Sequence, residues 1–199
     1  MAAREMNKLN ILALAGALLL AACAATPTEP PPLQGATMGG AFSLVDQNNR
    51  RVTDRDFAGK YRLVYFGFSF CPDVCPVDLA ALAKGLTAFE RDDAARGARV
   101  VPIFITVDPA RDTPAELKKY VAAFHPRLVA LTGTEAEIAA TAKRYAVAFS
   151  KRPGVSAGAY TMDHSRMAVL YGPDGAPVAI IPHDEGPAAA AKALDQWVA

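Results

Sequence analysis

Two cysteines separated by three residues are the first candidates for chemistry in this chain. Cys71 and Cys75 lie in the segment CPDVCP, residues 71–76. Positions four apart are one helical turn apart, so both sulfurs can face the same side of a loop that enters a helix. Pro76 fits the first helical position, which predicts Cys75 as the N-cap, where free N–H groups and the helix dipole favour thiolate over thiol. We therefore expect two soft ligands that ionise readily.

Three interpretations of this pair are open: a plain disulfide, a dithiol–disulfide redox pair, or part of a metal site. A disulfide that closes so short a loop constrains the unfolded chain little, so stability alone is a poor reason for it. A metal site needs at least one further ligand, because two thiolates alone provide too few ligands for most divalent ions.

An α/β unit is predicted around the cysteines. They lie between a continuous apolar run, Leu63–Phe68, and a helix over Pro76–Arg91, and a second apolar run follows at Val100–Val107. Continuous runs are typical of strands buried on both faces, which indicates a sheet covered by helices. Pro102 is expected to mark the beginning of the second strand. The unit is long enough for a right-handed crossover between parallel strands.

The rest of the chain predicts further helices and two hairpins. We expect helices over residues 113–124, 134–145 and 186–198, and hairpins over residues 41–53 and 167–181. Parallel strands followed by an antiparallel hairpin indicate a thioredoxin-like α/β domain, with a central mixed sheet covered by helices and an N-terminal β-hairpin. A flavodoxin-like fold fits less well, because a terminal hairpin does not suit a doubly wound sheet.

Three histidines could supply a further metal ligand. His125 follows a predicted helix, where a cation meets the negative end of the dipole, so a structural role is expected. His183 follows the last predicted strand and is expected to be a solvated loop residue. His164 lies in a polar segment, YTMDHS at residues 160–165, just before the strand predicted to begin at Met167.

The predicted fold favours His164 over the other two histidines. In a thioredoxin-like domain the loop entering this late strand faces the loop that carries the cysteines. Oxidoreductases of that fold usually have a proline there, which shields the thiols and blocks metals, but no proline occurs between Gly154 and Pro173. Two thiolates and one imidazole form a soft, three-coordinate site that suits Cu(I) better than Mg, Ca or Mn. Zinc would need a fourth ligand, for which Asp163 or water could serve.

Four motifs resemble those of the Sco/SenC family: CPDVCP at 71–76, VDPARDTP at 107–114, HPRL at 125–128 and YTMDHS at 160–165. They occur in the family's order, and the resemblance extends from about Gly40 to the end of the chain. It implies a membrane-tethered, thioredoxin-like protein that binds copper and helps assemble the dinuclear copper site of cytochrome c oxidase. Carried over by position, the family's copper ligands are Cys71, Cys75 and His164, the three residues that the chemistry indicates.

We therefore expect a copper chaperone rather than an enzyme. It would hold one Cu(I) or Cu(II) through Cys71, Cys75 and His164 and pass it by ligand exchange to the apo copper-site subunit of cytochrome c oxidase or to another cuproprotein. The alternative is a thiol–disulfide reductase that keeps the recipient's cysteines reduced, for which the two cysteines suffice. A peroxidase-like role is weaker, because no acid–base and arginine environment for an attacking cysteine is evident. We expect a monomer.

Other charged residues in the motifs have less definite roles. The segment at 107–114 is explained by a strand end, a turn and a helix start, so scaffolding is expected. Arg111 could pair with Asp108 or Asp112, or present its charge to a partner. Asp73 could influence thiolate protonation or contact a partner, and the sequence leaves both possibilities open.

The N-terminal segment resembles a bacterial export signal. Arg4 and Lys8 precede an apolar run of about fourteen residues, too short for a bilayer core of about 30 Å, and this layout is typical of a secretory signal. Residues 20–23, LAAC, resemble a lipobox. We predict a signal peptide over 1–22, a lipid on Cys23, a proline-rich tether over 23–38 and the copper-binding domain over 39–199. The alternative is an uncleaved anchor helix; both place the domain outside, on the periplasmic side of a bacterial membrane.

Composition and charge exclude several other classes of protein. With 199 residues, 52% of them hydrophobic, the chain can form one domain with a real core and is too apolar to be disordered, and three cysteines are too few for a disulfide scaffold. Lipid on Cys23 would leave one cysteine pair. The chain has 21 basic and 20 acidic residues, and removing Arg4, Lys8 and Glu5 leaves 19 of each. Bulk charge therefore gives no reason to expect nucleic acid or an anionic membrane surface as partner.

Overall fold

A seven-stranded mixed sheet forms the centre of the computed structural model, which describes residues 29–154 and 159–199. The strands of the described chain are β1 (Ser43–Asp46), β2 (Arg51–Thr53), β3 (Tyr61–Gly67), β4 (Val100–Thr106), β5 (Val129–Thr132), β6 (Phe149–Pro153), β7 (Tyr160–His164), β8 (Ala168–Tyr171) and β9 (Pro177–Ile180). The large sheet has the order β2–β1–β5–β4–β3–β8–β9, while β6 and β7 form a separate two-stranded sheet. Strands β3, β4 and β5 are parallel to one another, and the remaining pairs are antiparallel.

Helices cover both faces of the large sheet. They are α1 (Val74–Asp92), α2 (Ala94–Gly97), α3 (Pro114–Val121), α4 (Glu135–Arg144) and α5 (Pro187–Trp197), with short 3₁₀ turns at Asp54–Phe57 and His183–Glu185. All seven residues of β3 are buried, and successive side chains point to opposite faces. Leu63 and Tyr65 pack in a core with α1, α3 and α5, whereas Val64 and Phe66 pack in a second core with α4 and the N-terminal hairpin.

The predicted thioredoxin-like architecture, a mixed sheet covered by helices with an N-terminal β-hairpin, is confirmed. Pro102 differs from its predicted place, because it lies inside β4 and β4 pairs with β3 from Val100 onward. The ladder between β4 and β5 begins only at Ile103, so the proline leaves no gap in that ladder.

The helix after the cysteine loop begins two residues earlier than predicted. Its N-cap is Asp73, so Cys75 is the second helical residue and Pro76 the third, and the prediction of Cys75 as N-cap is wrong. A proline is tolerated in this first turn, because the N–H groups there have no partner within the helix. Helix α3 ends at Val121 rather than near residue 124.

The hairpin formed by β6 and β7 is absent from the sequence prediction, which places residues 160–165 in a loop. Its register runs from Phe149 opposite His164 to Pro153 opposite Tyr160. Most of β6 is exposed and polar, so it lacks the apolar alternation that indicates a strand. His164 therefore lies at the end of a strand rather than in an irregular loop.

The described residues at the end of the predicted tether contact the domain. The Leu33 N–H donates to the Val178 carbonyl at 3.1 Å, and Leu33 and Met38 pack against the domain, where their apolar side chains are half-buried. The predicted signal peptide, the lipidation of Cys23 and the first residues of the tether lie outside the described residues. Within residues 29–154 and 159–199, none of the helices has the length and apolar character that crossing a membrane requires.

Candidate metal centre

A thiol and an imidazole from distant parts of the chain meet near the C-terminal end of β3. The Sγ atom of Cys75, in the first turn of α1, lies 3.1 Å from Nε2 of His164 at the end of β7. Cys75 is fully buried and His164 is half-buried. The His164 Nδ1 atom lies 3.0 Å from the carbonyl oxygen of Ser165, which can only accept a hydrogen bond. Nδ1 therefore carries the ring hydrogen, and Nε2 presents its lone pair to the thiol.

Burial keeps both groups uncharged. Burial raises the pKa of the Cys75 thiol to about 12, and it lowers the pKa of His164 below its ordinary value. The thiol is thus the hydrogen-bond donor and the imidazole the acceptor at neutral pH. The expectation that Cys75 ionises readily is wrong for the metal-free protein, because loss of solvent outweighs the helix N-terminus as an influence on the pKa.

Cys71 lies beside this pair without completing a cluster. Its half-exposed sulfur accepts the backbone N–H of Cys75 at 3.4 Å, and neither cysteine is in a disulfide. Within residues 29–154 and 159–199, no three His, Cys, Asp or Glu side chains are already arranged to hold a metal ion. The structure thus brings His164 to Cys75 and leaves Cys71 nearby, so a three-ligand site requires a shift of the Cys71 side chain.

Aromatic rings surround the imidazole. The His164 ring packs edge-to-face on Tyr65, with ring centroids 6.2 Å apart, and on Phe68, with centroids 6.0 Å apart. Both aromatic residues are almost fully buried and come from β3 or the residue just after it. These walls restrict the imidazole and exclude water from its inner side. In contrast, Phe70 is 52% exposed beside Cys71.

The fully buried carboxylate of Asp112 anchors the loop that precedes Cys71. It accepts the backbone N–H of Ser69 at 3.0 Å, the Ser69 hydroxyl at 2.5 Å and the Thr106 hydroxyl at 2.6 Å. Burial raises the pKa of Asp112 above its ordinary value. These bonds tie the loop to the end of β4, which is the scaffolding role predicted for residues 107–114.

Arg111 pairs with Asp108 and holds the beginning of β7. Its Nε lies 2.5 Å from Asp108 Oδ2, and its guanidinium lies 3.8 Å from the centroid of the Tyr160 ring. The Tyr160 hydroxyl donates to Asp108 at 2.9 Å, and Arg111 donates to the Tyr160 carbonyl at 3.1 Å. Of the three possibilities for Arg111, the structure shows the pairing with Asp108. Asp73 is exposed and its side chain makes no capping bond.

Neither of the other two histidines is hydrogen-bonded to a thiol within residues 29–154 and 159–199. His125 is buried; its Nδ1 accepts the Arg127 N–H at 3.2 Å and its Nε2 lies 3.2 Å from Glu90, so its role is structural. The prediction of a solvated His183 is wrong, because a 3₁₀ turn directs its ring inward and leaves it 6% exposed. The ring packs against Tyr65 at 5.6 Å, and its Nδ1 lies 3.1 Å from the Ile181 carbonyl.

Two charged residues beside the site are missing from the sequence prediction. Asp78 is 2% exposed, and its carboxylate accepts the Tyr65 hydroxyl at 2.8 Å and two bonds from Arg166 at 2.9 and 2.6 Å. Burial acts to raise the pKa of Asp78, but its donors, Arg166 foremost, hold that pKa below its ordinary value. A signal was present in the sequence: Asp78 interrupts the apolar face of α1 three residues after Cys75, and a charge on a buried face requires a partner.

Comparison with known proteins gives consistent matches. Residues 30–199 match the family model described as SCO1/SenC. The mitochondrial SCO1 homolog 1 of Arabidopsis thaliana is 40% identical over 146 residues, which is 73% of this chain and 42% of that protein. The chain spans about half the length of the curated relatives it matches, 42% to 52% for three of them.

Two solved structures of copper-bound proteins resemble the chain closely. ScoI of Bradyrhizobium japonicum with copper bound aligns with a TM-score of 0.72 at 41% identity, and the alignment covers 80% of this chain and 99% of that one. Yeast Sco1 with copper bound aligns with a TM-score of 0.72 at 37% identity and covers 80% of this chain and 87% of that one.

Proposed function

Because the chain belongs to the SCO1/SenC family, we propose that it binds copper through Cys71, Cys75 and His164 and passes the metal to another copper protein. The observation that carries this proposal is the approach of Cys75 Sγ to His164 Nε2 at 3.1 Å, across 89 residues of sequence. The copper-bound ScoI and Sco1 structures, at 41% and 37% identity, support it.

Copper is the cargo, and the chemistry of the three side chains suits it. Thiolates and imidazole are soft or borderline ligands that prefer Cu(I), and the imidazole also accommodates Cu(II). With bond lengths like those of zinc, about 2.3 Å to sulfur and about 2.0 Å to nitrogen, a trigonal site places the two ligand atoms about 3.7 Å apart. Cys75 and His164, at 3.1 Å, need to separate by only about 0.6 Å. The metal then replaces the thiol proton, which is released to solvent.

The unequal exposure of the ligands provides a route for transfer. Cys75 and His164 hold the metal from the inner side, whereas Cys71 is half-exposed and follows the exposed Phe70. A ligand from the recipient can therefore approach the metal on the side of Cys71. Cys71 is then the first of the three ligands to be displaced. Three-coordinate copper leaves room for such an incoming ligand, so exchange does not require prior release of free metal.

The reductase alternative is less well matched to the pair. In thiol–disulfide exchange a leaving thiol of low pKa departs faster, and the attacking thiol must ionise. Burial raises the pKa of Cys75 to about 12, which disfavours Cys75 in either role. A bound metal stabilises the same thiolate directly. Cys75 is therefore a poor participant in redox exchange, whereas a bound metal would offset the cost of its buried thiolate.

We further propose the apo copper-site subunit of cytochrome c oxidase, or another cuproprotein, as the recipient. The basis is the family resemblance of the four motifs. We also propose that a lipid on Cys23 anchors the chain on the periplasmic side of a bacterial membrane, on the basis of its N-terminal residues; the Arabidopsis relative is named as mitochondrial. A lipid on Cys23 would hold the domain at a membrane surface.

The decisive experiment measures Cu(I) affinity by chelator competition for the wild type and for His164→Ala. Loss of a direct ligand should raise the dissociation constant by more than about 100-fold, beyond the range typical of residues outside the first ligand shell. His125→Gln is the matched control, because it alters another buried histidine at a distance from the thiols. X-ray absorption should count two sulfur neighbours and one nitrogen neighbour in the wild type. Undiminished affinity in His164→Ala would refute the ligand assignment.

Oxidase assembly in cells separates metal transfer from thiol reduction. If the chain transfers copper, His164→Ala should lose assembly as completely as Cys71→Ser does. If it acts as a reductase, His164→Ala should retain full assembly, because the exchange chemistry needs only the two thiols.

A further inference from the structure

No sheet ladder of the described chain joins His164 directly to α1, although β8, which begins four residues after His164, pairs with β3. His164 ends β7, which pairs only with β6 in the small sheet, whereas Cys75 belongs to α1 over the large sheet. The bonds between Ser165 and Ala148 join the two arms of the hairpin to each other and do not reach α1. Besides that ladder and the packing of the His164 ring on Tyr65 and Phe68, a direct polar contact joins the two segments that carry the proposed ligands.

The ion pair between Asp78 and Arg166 is such a contact. Asp78 follows Cys75 by three residues in α1, and Arg166 follows His164 by two. The guanidinium donates to both carboxylate oxygens, from Nε at 2.9 Å and from Nη2 at 2.6 Å, which fixes distance and orientation together. The Asp78 side chain is 2% exposed, and the Tyr65 hydroxyl on β3 donates to it at 2.8 Å.

We infer that the Asp78–Arg166 pair is a positioning device that holds His164 against Cys75 before the metal arrives. The inference rests on the proposed function for the role of these two ligands. The far end of β7 is held separately, by the Arg111 bond to the Tyr160 carbonyl at 3.1 Å. Arg111 and Arg166 thus each hold one end of β7, and Arg166 acts at the end that carries the imidazole.

Preorganisation gives a reason for the presence of a charged carboxylate in an apolar helix face. Burying a charged carboxylate costs free energy unless the carboxylate is paired. Asp78, in α1, accepts hydrogen bonds from Tyr65 on β3 and from Arg166 in the segment after β7. His183 lies beyond it, with Nε2 at 3.4 Å from Asp78 Oδ2 and no hydrogen-bond partner in the described structure. Residues that orient metal ligands typically change metal affinity by about 10- to 100-fold when they are replaced.

The chain offers a closely matched control for this pair. Arg50 donates from Nε at 3.0 Å and from Nη2 at 2.9 Å to Asp46, which is also 2% exposed, but this pair lies in the β1–β2 hairpin. Arg50→Gln therefore removes a guanidinium with the same two-bond geometry from a similarly buried carboxylate without touching either ligand segment. Any general effect of losing such a pair should appear equally in Arg50→Gln and Arg166→Gln.

The experiment compares Arg50→Gln and Arg166→Gln in the full chain by two measurements. The first, in the metal-free protein, is the nuclear Overhauser contact between the His164 ring and the Cys75 β-protons. We expect it in the wild type and in Arg50→Gln, and we expect its loss in Arg166→Gln. The second is the Cu(I) dissociation constant, which should rise about 10- to 100-fold in Arg166→Gln and less than about twofold in Arg50→Gln.

Each outcome decides the inference. An intact His164–Cys75 contact in Arg166→Gln overturns it, whatever the copper affinity. If Arg166→Gln does not fold, Arg166→Lys keeps the charge but not the forked geometry, so it should weaken the contact, and an unweakened contact overturns the inference. Failure of the proposed function is separate: His164→Ala would then bind copper normally, while the metal-free contact would still depend on Arg166.

Discussion

The buried thiol of Cys75 should react with an alkylating reagent far more slowly than an ordinary thiol, and its rate should continue to rise with pH. The thiolate is the reactive form of cysteine, so the pKa controls the rate. Burial raises the pKa of Cys75 to about 12, and the residue is fully buried in the first turn of α1. A raised pKa means that the neutral thiol persists well above pH 8.

The expected magnitude follows from the ionised fraction. At pH 8 a thiol with a pKa of about 12 is ionised in about one molecule in 10,000. An ordinary cysteine with a pKa of about 8.5 is ionised in about one molecule in four. The ratio predicts alkylation of Cys75 about 2,000-fold slower than that of the same residue in the unfolded chain.

The assay treats the metal-free full chain with iodoacetamide at several pH values between about 7 and 10, where an ordinary thiol passes through its titration. Fragment-ion mass spectrometry assigns the label to Cys71 or Cys75, which lie in one tryptic peptide. The matched control is the same protein unfolded in guanidinium chloride, in which Cys75 has its ordinary reactivity. The logarithm of the folded-state rate should rise by about one for each pH unit, without a plateau below pH 10.

Two results would contradict a buried Cys75 thiol with a raised pKa. One is a rate at pH 8 within about tenfold of the unfolded control, which would mean that Cys75 is neither buried nor shifted. The other is a slow rate that levels off near pH 9, which would mean an inaccessible thiol with an ordinary pKa. The pH profile therefore distinguishes restricted access from a raised pKa, which a single rate does not.

Two further predictions concern the loop anchor and the membrane anchor. Asp112→Ala should lower the free energy of unfolding by about 3 kcal/mol, because Thr106 and both donors of Ser69 lose their buried acceptor. Urea titration measures this free energy. A loss below about 0.5 kcal/mol, the range of ordinary surface substitutions, would contradict the anchoring role of Asp112. Cys23→Ser should move the chain from the membrane fraction to the soluble fraction of cells, and retention in the membrane would exclude lipid on Cys23 as the anchor.

Much of the fold was predictable because its signals are local. The apolar run of β3 is buried on both faces, so every residue carries the same signal, and the observed strand Tyr61–Gly67 overlaps the predicted one closely. Thr113 and Pro114 predict the start of α3, and Thr113 does cap that helix. The hairpin of β6 and β7 was missed because β6 is exposed and polar, so its pairing leaves no periodic signal.

The candidate site was predictable in its residue types but not in its electrostatics. The spacing of Cys71 and Cys75, together with the place of His164 in the predicted fold, leads from the sequence to the proposed soft metal site. The local sequence also predicts an ionised Cys75 at a helix N-terminus. That prediction is wrong, because the pKa of the thiol depends on how much water the surrounding fold excludes. Burial of His183 and Asp78 is likewise a property of elements distant in sequence that pack around them.

Residue type and short-range spacing are enough to predict which side chains could bind a soft metal, which strands are buried and where most helices lie. The approach of Cys75 to His164 at 3.1 Å, the uncharged state of both groups and the pairing of Asp78 with Arg166 depend on the folded chain. Hydrogen-bond partners 88 and 89 residues apart and the loss of solvent around them arise when separate elements pack, and no short stretch of sequence contains that information.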